Sequence, residues 1–266
     1  MSDFDRNYAA PGTSPFGRAA TRDAAAVDAG LRAYMLKIYN YMTIGLAITG
    51  LAALGVYKAA ITDTAVGAAG KIGNTFLTSF GVALYVSPLK WLFILAPLVM
   101  VFAISFGINR LRPATAQMLF WAFAALMGIS LSSIFLVYTH TSIVRVFFIT
   151  AATFGALSLY GYTTKRDLSG MGSFLMMGLF GIIIASLVNL FLASTMLQFI
   201  VSVVGVLVFA GLTAWDTQRL KNDYIYGYGG MGGDVAERAA ITGALSLYLN
   251  FINLFTLLLQ LLGQRE

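Results

Sequence analysis

Hydrophobic residues in this chain fall into long uninterrupted runs that are separated by short polar segments. Seven such runs lie near residues 33–57, 89–109, 115–138, 143–163, 172–193, 197–217 and 239–262. Each is close to the roughly 20 residues that an α-helix needs to cross the hydrocarbon core of a bilayer. A membrane β-barrel would instead show alternating segments of about 10 residues. The pattern therefore predicts an all-α integral membrane protein with seven transmembrane helices.

The composition agrees with this class, since 59% of the 266 residues are hydrophobic and only 11% are charged. Residues 1–30 differ: they are rich in Ala, Asp, Gly, Ser, Thr and Pro and contain no apolar run that could serve as a signal-peptide core. We expect a disordered cytoplasmic tail at 1–30 and a seven-helix membrane domain at 31–266. The absence of cysteine excludes disulfide scaffolds, cysteine metal sites and thiol catalysis.

Basic residues are distributed unevenly between the loops. The amino-terminal region and the loops after spans two, four and six carry Arg18, Arg22, Arg32, Lys37, Arg110, Arg112, Lys165, Arg166, Arg219, Lys221 and Arg238. The opposite loops carry little more than Lys58, Lys71, Lys90 and Arg145. This bias predicts a cytoplasmic amino terminus and a carboxyl terminus outside. We expect a bacterial inner (plasma) membrane, from the small size and lack of extensions. A nucleic-acid partner is not indicated, because the basic residues do not form one clustered face.

A weak internal repeat accompanies the basic loops. The even-numbered spans each end in an aromatic residue followed by a basic anchor, and the anchors Arg110, Lys165 and Arg219 are 55 and 54 residues apart. Three helical hairpins of similar build plus one unpaired helix would give this spacing, as in many transport proteins. Any hairpin with a positive cytoplasmic end would look similar, so both interpretations stay open.

The seventh span carries a polar stripe. Thr242, Ser246, Asn250 and Asn253 are spaced by four, four and three residues, which places them on one face of a helix. Such a stripe inside a bundle can be hydrogen-bonding glue, worth about 0.6 kcal/mol per contact. It can equally line a pore or a water-filled cavity.

Asp216, near the end of the sixth span, is an acid at membrane depth or at its edge. An intramembrane acid is expensive to keep and is a functional candidate by default. The alternative is an acid in the headgroup region beside Arg219. Arg110 closes the second span, where topology alone requires a positive charge, so it is either a gate partner or only a topology signal.

Other chemistry is not favoured by the sequence. His140 lies in a short outer loop without other metal-ligand residues nearby in sequence. The glycine-rich stretch at 227–234 lacks the Lys-Ser/Thr ending of a phosphate loop and is more typical of a flexible linker. An aspartyl intramembrane protease needs two facing acids, and Asn250 breaks that pair. We predict that the protein is not an enzyme.

Two segments resemble the signature segments of the Bax inhibitor family, whose members include pH-sensitive calcium-leak proteins. They are Trp215-Asp216-Thr217-Gln218 on span six and Ala244-Leu245-Ser246-Leu247-Tyr248-Leu249-Asn250-Phe251-Ile252-Asn253-Leu254-Phe255 on span seven. The resemblance covers about residues 31–262. It implies seven helices, with the seventh central and surrounded by three hairpins.

The resemblance also implies a mechanism. Calcium-conducting members have one acid at the position of Asp216 and a second at the position of Asn250. Two carboxylates in contact cannot both ionise cheaply, so such a pair shares a proton and responds to pH. Asn250 can donate an amide hydrogen bond to Asp216 but cannot titrate. We therefore expect weakened pH sensing, with Asp216 paired to Arg219 or Arg110.

The function expected from these features is a calcium or cation leak pathway along the seventh helix. Asp216 would be the gate and a transient calcium ligand, and Thr242, Ser246 and Asn253 would line the pathway. No cofactor is expected, and the partners would be the bilayer, the calcium ion and a membrane protein. The alternative is a non-conducting regulator of a membrane quality-control protease or stress response, with the tail and glycine-rich loop as contact segments. Calcium transport in liposomes distinguishes the two.

Overall fold

The structure is a computed structural model that describes residues 15–65, 67–73, 75–108, 111–228 and 233–265, with side chains from position 27 to 227 and from 233 onward. The α-helices are α1 (Pro15–Ala60), α2 (Ser79–Tyr85), α3 (Lys90–Gly107), α4 (Pro113–Leu131), α5 (His140–Thr163), α6 (Ser169–Leu192), α7 (Thr195–Asp223) and α8 (Gly233–Leu262). The strands are β1 (Ile61–Thr62), β2 (Gly70–Ile72) and β3 (Thr75–Leu77). A 3₁₀ turn at Ser132–Leu136 extends α4, and a π turn at Tyr224–Tyr228 extends α7.

Seven helices of the described chain are long and apolar enough to cross a membrane, which confirms the predicted all-α class and the seven spans. They are α1 from Val27 onward, α3, α4 with its 3₁₀ turn, α5, α6, α7 and α8. Residues 1–14 lie outside the described residues, so the disordered tail at 1–30 stays a prediction. α1 nevertheless begins at Pro15, inside that segment, where several alanines favour a helix.

α8 lies at the centre of the bundle and is the most buried of the seven spans. It packs against α1, α4, α5 and α7, while α3 packs on α4 and α6 packs on α7. α6 and α7 form an antiparallel hairpin whose turn uses Ala193 at a φ of 47°, with the Ser194 amide donating to Asn189 Oδ1 over 3.0 Å. α1 packs mainly against α4 and α8 rather than against α3, the next span along the chain.

The two ends of the described chain lie at opposite faces of the bundle. At one face, the early part of the membrane span of α1 stacks on the end of α7, with the Tyr34 and Tyr224 rings 4.9 Å apart. We call this the amino-terminal face. At the other, the Thr139 amide donates to the Gln264 carbonyl and the Gln264 amide donates to Ser142 Oγ, both over 3.0 Å. We call this the carboxyl-terminal face.

A small antiparallel sheet follows α1 and was not predicted from the sequence. Its strand order is β1-β3-β2, with Ile61 opposite Leu77 and Lys71 opposite Phe76. The strands are only two or three residues long. α2 follows β3 directly, and the Thr78 hydroxyl caps it by accepting from the Gly81 amide over 3.1 Å.

Candidate functional site

Asp216 lies in the last third of α7 and is buried between that helix and α8, with 4% of the residue exposed. Its Oδ2 atom accepts two hydrogen bonds from α8: one from Asn250 Nδ2 over 2.7 Å and one from Ser246 Oγ over 2.9 Å. Ser246 and Asn250 are four residues apart, so both side chains leave the same face of α8. The site is therefore a contact between an acid of one helix and two polar groups of the central helix.

Arg219 provides the opposite charge from one turn further along α7. Its Nη2 atom lies 2.6 Å from Asp216 Oδ1, in an ion pair that lacks the angles of a hydrogen bond. The guanidinium also lies over the Trp215 ring, 4.7 Å from its centroid. Because 40% of the Arg219 side chain is exposed, it connects the buried carboxylate to the surface of the bundle.

A polar cavity of about 460 Å³ adjoins this ion pair at the amino-terminal face. Its polar lining comes from Tyr34, Ser105, Arg219, Asp223, Arg238 and Thr242. Two guanidinium groups face one carboxylate there, so the cavity favours anions over a resident cation. A cation that approached Asp216 from this side would first have to displace Arg219.

Apolar side chains close the bundle on the other side of Asn250. Leu212 and Phe209 of α7 pack with Leu254 and Leu257 of α8 in one buried cluster. The next polar contact beyond this cluster is between Ser202 Oγ, which donates, and Gln260 Oε1 over 2.8 Å. The side-chain hydrogen bonds that join α7 to α8 thus form two separate sets, one at Asp216 and one at Ser202.

The structure brings some of the predicted site residues together and separates others. The structure brings Ser246, Asn250 and Arg219 together around Asp216. Thr242 is exposed and lines the cavity. Asn253 does not join the site, because its amide donates to the Leu249 carbonyl of its own helix over 2.9 Å. Arg110 lies outside the described residues.

Gln218 has no role predicted from the sequence, although it lies in the Trp215–Gln218 segment. Its Oε1 accepts from the Leu168 amide over 2.8 Å and its Nε2 donates to the Arg166 carbonyl over 2.7 Å. The side chain therefore fastens the α5–α6 loop to α7 beside the site. In that loop, hydrogen bonds from the side chain and amide of Ser169 lower the pKa of the exposed Asp167 carboxyl.

Asp223 is a second residue without a predicted role. It follows Asp216 by seven residues, or about two helical turns, which places both carboxylates on one face of α7. This seven-residue spacing is the sequence feature that could have linked Asp223 to Asp216. Among the described residues, no three His, Cys, Asp or Glu side chains cluster closely enough to hold a metal ion. His140 is exposed and contacts the Tyr57 and Phe135 rings, with centroids 5.5 Å apart in each case.

Comparison with known proteins identifies the family. The profile of the family described as "Inhibitor of apoptosis-promoting Bax1" matches residues 31–266, which include both polar partners of Asp216 on α8. The chain belongs to the Bax inhibitor family. This agrees with the resemblance seen in the Trp215–Gln218 and Ala244–Phe255 segments. It establishes a multi-pass membrane protein of the Bax inhibitor family.

Curated relatives cover nearly the whole chain. An uncharacterized protein of Rickettsia prowazekii is 47% identical over 90% of this chain and 92% of its own length. The inner membrane protein YbhL of Escherichia coli is 44% identical over 90% of this chain and 94% of its own. An uncharacterized membrane protein of Streptococcus pyogenes is 35% identical over 90% and 96%, respectively. The names of the last two agree with a membrane location.

Proposed function

We propose that this Bax inhibitor family member is a leak pathway for calcium or another cation along α8, with Asp216 as its gate. The observation that supports the proposal is a buried carboxylate bound at once by two α8 side chains and by Arg219. Burying a charge at membrane depth is costly, and proteins keep such groups mainly for transport and signalling. The inner-membrane relative fits a location in the bacterial inner membrane.

The contacts suggest how the gate works. In the closed arrangement, Asp216 Oδ1 faces Arg219 and Oδ2 is bound by α8. Movement of Arg219 toward the cavity would free a carboxylate oxygen, which is a ligand that calcium prefers. Conduction would also require α7 and α8 to separate at Leu212 and Leu254, because these side chains close the path beyond the site. Calcium is the transported ion in this scheme, not a resident cofactor.

The direct test is calcium flux in proteoliposomes with Asp216→Asn. The amide keeps the shape of the side chain and removes its charge, and a hydrogen bond to a charged group is worth about 1.5 kcal/mol or more. We therefore expect the flux to change by about tenfold. Asp167→Asn is the matched control, because it makes the same chemical change on an exposed residue of the same face.

Two results would contradict the proposal. Equal flux for Asp216→Asn, Asp167→Asn and the unchanged protein would remove Asp216 from the gate. No calcium flux from any of the three, in protein that remains folded and inserted, would favour the non-conducting regulatory function.

A further inference from the structure

A second cavity lies on the outside of the bundle, away from the Asp216 site. It is an apolar groove of about 600 Å³ between α1 and α5. α1 packs against α4 and α8, and α5 packs against α7 and α8, which leaves the space between them open. Met42, Leu46, Phe147 and Phe251 are among its walls. Gly155 also lines it, and a Cβ atom at that position would meet no atom within 4 Å.

One charged side chain lines the groove, and it lies at the amino-terminal face. Arg32 is exposed there, and no carboxylate of the described residues forms an ion pair with it. The groove contains no acidic side chain among its lining residues. Its charge therefore favours an anionic group at this end.

Deeper in the groove, the hydroxyl of Ser158 has no partner. Ser158 is 5% exposed, and its Oγ makes no hydrogen bond to any described residue. Thr150, two turns earlier on α5, shows the usual alternative, since its hydroxyl donates to the Val146 carbonyl over 2.8 Å. Buried hydroxyls in proteins are nearly always hydrogen-bonded. Ser158 thus offers an unused donor at the wall of the groove, which an acceptor from outside the chain can use once the hydroxyl turns toward the groove.

The length of the groove matches one leaflet. Arg32 and Leu46 are 14 residues apart. This separation corresponds to about 21 Å of helix, which equals half of the roughly 40–45 Å thickness of a bilayer with its headgroups.

We propose that the groove binds one anionic phospholipid. Its phosphate pairs with Arg32, an ester carbonyl accepts a hydrogen bond from Ser158, and an acyl chain lies along Met42, Leu46 and Phe147.

Native mass spectrometry of the purified full-length protein in detergent tests this site. The protein is titrated separately with phosphatidylglycerol and with phosphatidylcholine of the same acyl chains. One basic side chain at an anionic headgroup is expected to give about fivefold tighter binding of the first phosphatidylglycerol. Equal affinity for the two lipids would overturn the proposal.

Paired variants locate the headgroup. Arg32→Gln should abolish the preference for phosphatidylglycerol. Lys165→Gln makes the same charge change on an exposed residue that does not line the groove, and it should keep the preference. The same loss in both variants would show that net charge, rather than Arg32, selects the lipid.

A second pair locates the acyl chain. Gly155→Leu fills the groove and should reduce the number of tightly bound lipids by one for both lipids. Gly181→Leu is the control, since Gly181 is also exposed on its helix with open space around a Cβ atom. If Gly155→Leu aggregates, Thr43→Leu from the opposite wall replaces it. Unchanged lipid numbers would overturn the proposal, as would a protein dimer that the groove-filling variant dissociates, because a second copy would then occupy the groove.

Discussion

Asp216 shows what a buried charge requires of its surroundings. Its two oxygens are held by three side chains, two of them on the central helix and one on its own helix. Removing a hydrogen-bond partner from a buried polar group typically costs about 1–3 kcal/mol, and more when the group is charged. Changes at Ser246, Asn250 or Arg219 are therefore expected to affect both stability and any gating.

Replacing Asn250 by an acid should create a pH response at the Asp216 site. Neither α8 side chain that binds Asp216 can titrate in this range, so we expect flux to vary little between about pH 6 and 8. Asn250→Asp would place a second carboxylate against Asp216, and the pair would then titrate in two separated steps. We expect a new pH dependence of calcium flux in that window, measured in proteoliposomes.

The control for this experiment is Asn253→Asp, which adds an acid to the same helix without contacting Asp216. It should not create the same dependence. A steep pH response in the unchanged protein, or none in Asn250→Asp, would show that gating does not depend on this contact.

Gln218 should contribute to stability rather than to ion selectivity. Gln218→Ala removes two hydrogen bonds and leaves a buried backbone amide and a carbonyl without partners, which we expect to lower the free energy of unfolding by about 2 kcal/mol. Thermal unfolding in detergent measures this change. Gln198→Ala, on the same helix but without a side-chain hydrogen bond among the described residues, should have little effect. Equal losses in both variants would mean that the α5–α6 loop does not depend on Gln218.

Only part of the site could be predicted from the sequence. The Asn250 contact followed from the family resemblance, and the Arg219 pair followed from its position one turn after Asp216. Gln218 received no role, and Asn253 was expected to line the pathway rather than to bind the Leu249 carbonyl. The sequence does not show which loop or carbonyl a polar side chain will reach. Whether Asp216 gates an ion pathway stays a prediction.

At the scale of helices, close approach of backbones holds α7 in place. Gly161 of α5 lies so near α7 that a Cβ atom there would be 2.2 Å from the Ala214 carbonyl oxygen. Only glycine allows this distance, and Ala214 is two residues before Asp216. The packing of α5 therefore helps to fix the depth and direction of the acid.

Gly161→Ala should push α5 and α7 apart. Overpacking of this kind costs about 1–3 kcal/mol, and thermal unfolding in detergent should show the loss. Gly155→Ala on the same helix meets open space, and the better helix propensity of alanine should leave it neutral or up to about 1 kcal/mol more stable. If both variants are equally stable, the Gly161 contact does not constrain the helices.

The sequence predicted the transmembrane helices, but it did not predict the small sheet or which helices pack against each other. Seven apolar runs of membrane length predicted seven spans, because a bilayer leaves few other structures available to such a run. The sheet was missed, since strands of two or three residues give no periodic signal. The packing of α1 on α4 depends on close contacts such as that of Gly128 with the Thr49 carbonyl, and the sequence alone does not show which glycines meet another helix.

For the whole molecule, an odd number of spans places the two ends on opposite sides of the membrane. α1 is held to α8 near the amino-terminal face, where Lys37 and Tyr41 both bind Glu237. The other end is tied to α5 through Gln264.

The orientation of these faces can be measured with fused reporters. A reporter placed before Ser2 should be cytoplasmic, and one placed after Glu266 should lie outside, because the basic loops favour the cytoplasmic side. A fluorescent protein and alkaline phosphatase, each fused at either end, report the two compartments. Finding both ends in one compartment would contradict the seven-span topology, and exchanged compartments would contradict the orientation.

The central position of α8 affects how the protein folds during its synthesis. Chains are made and fold from the amino terminus, so the helix at the core leaves the ribosome after the other six spans. Before α8 is inserted, Asp216 cannot bind Ser246 or Asn250, and the other six spans lack the helix that they surround. A chain that stops before Gly233 keeps an acid at membrane depth with no helix opposite it. We expect such a fragment to be degraded rather than to form a smaller functional protein.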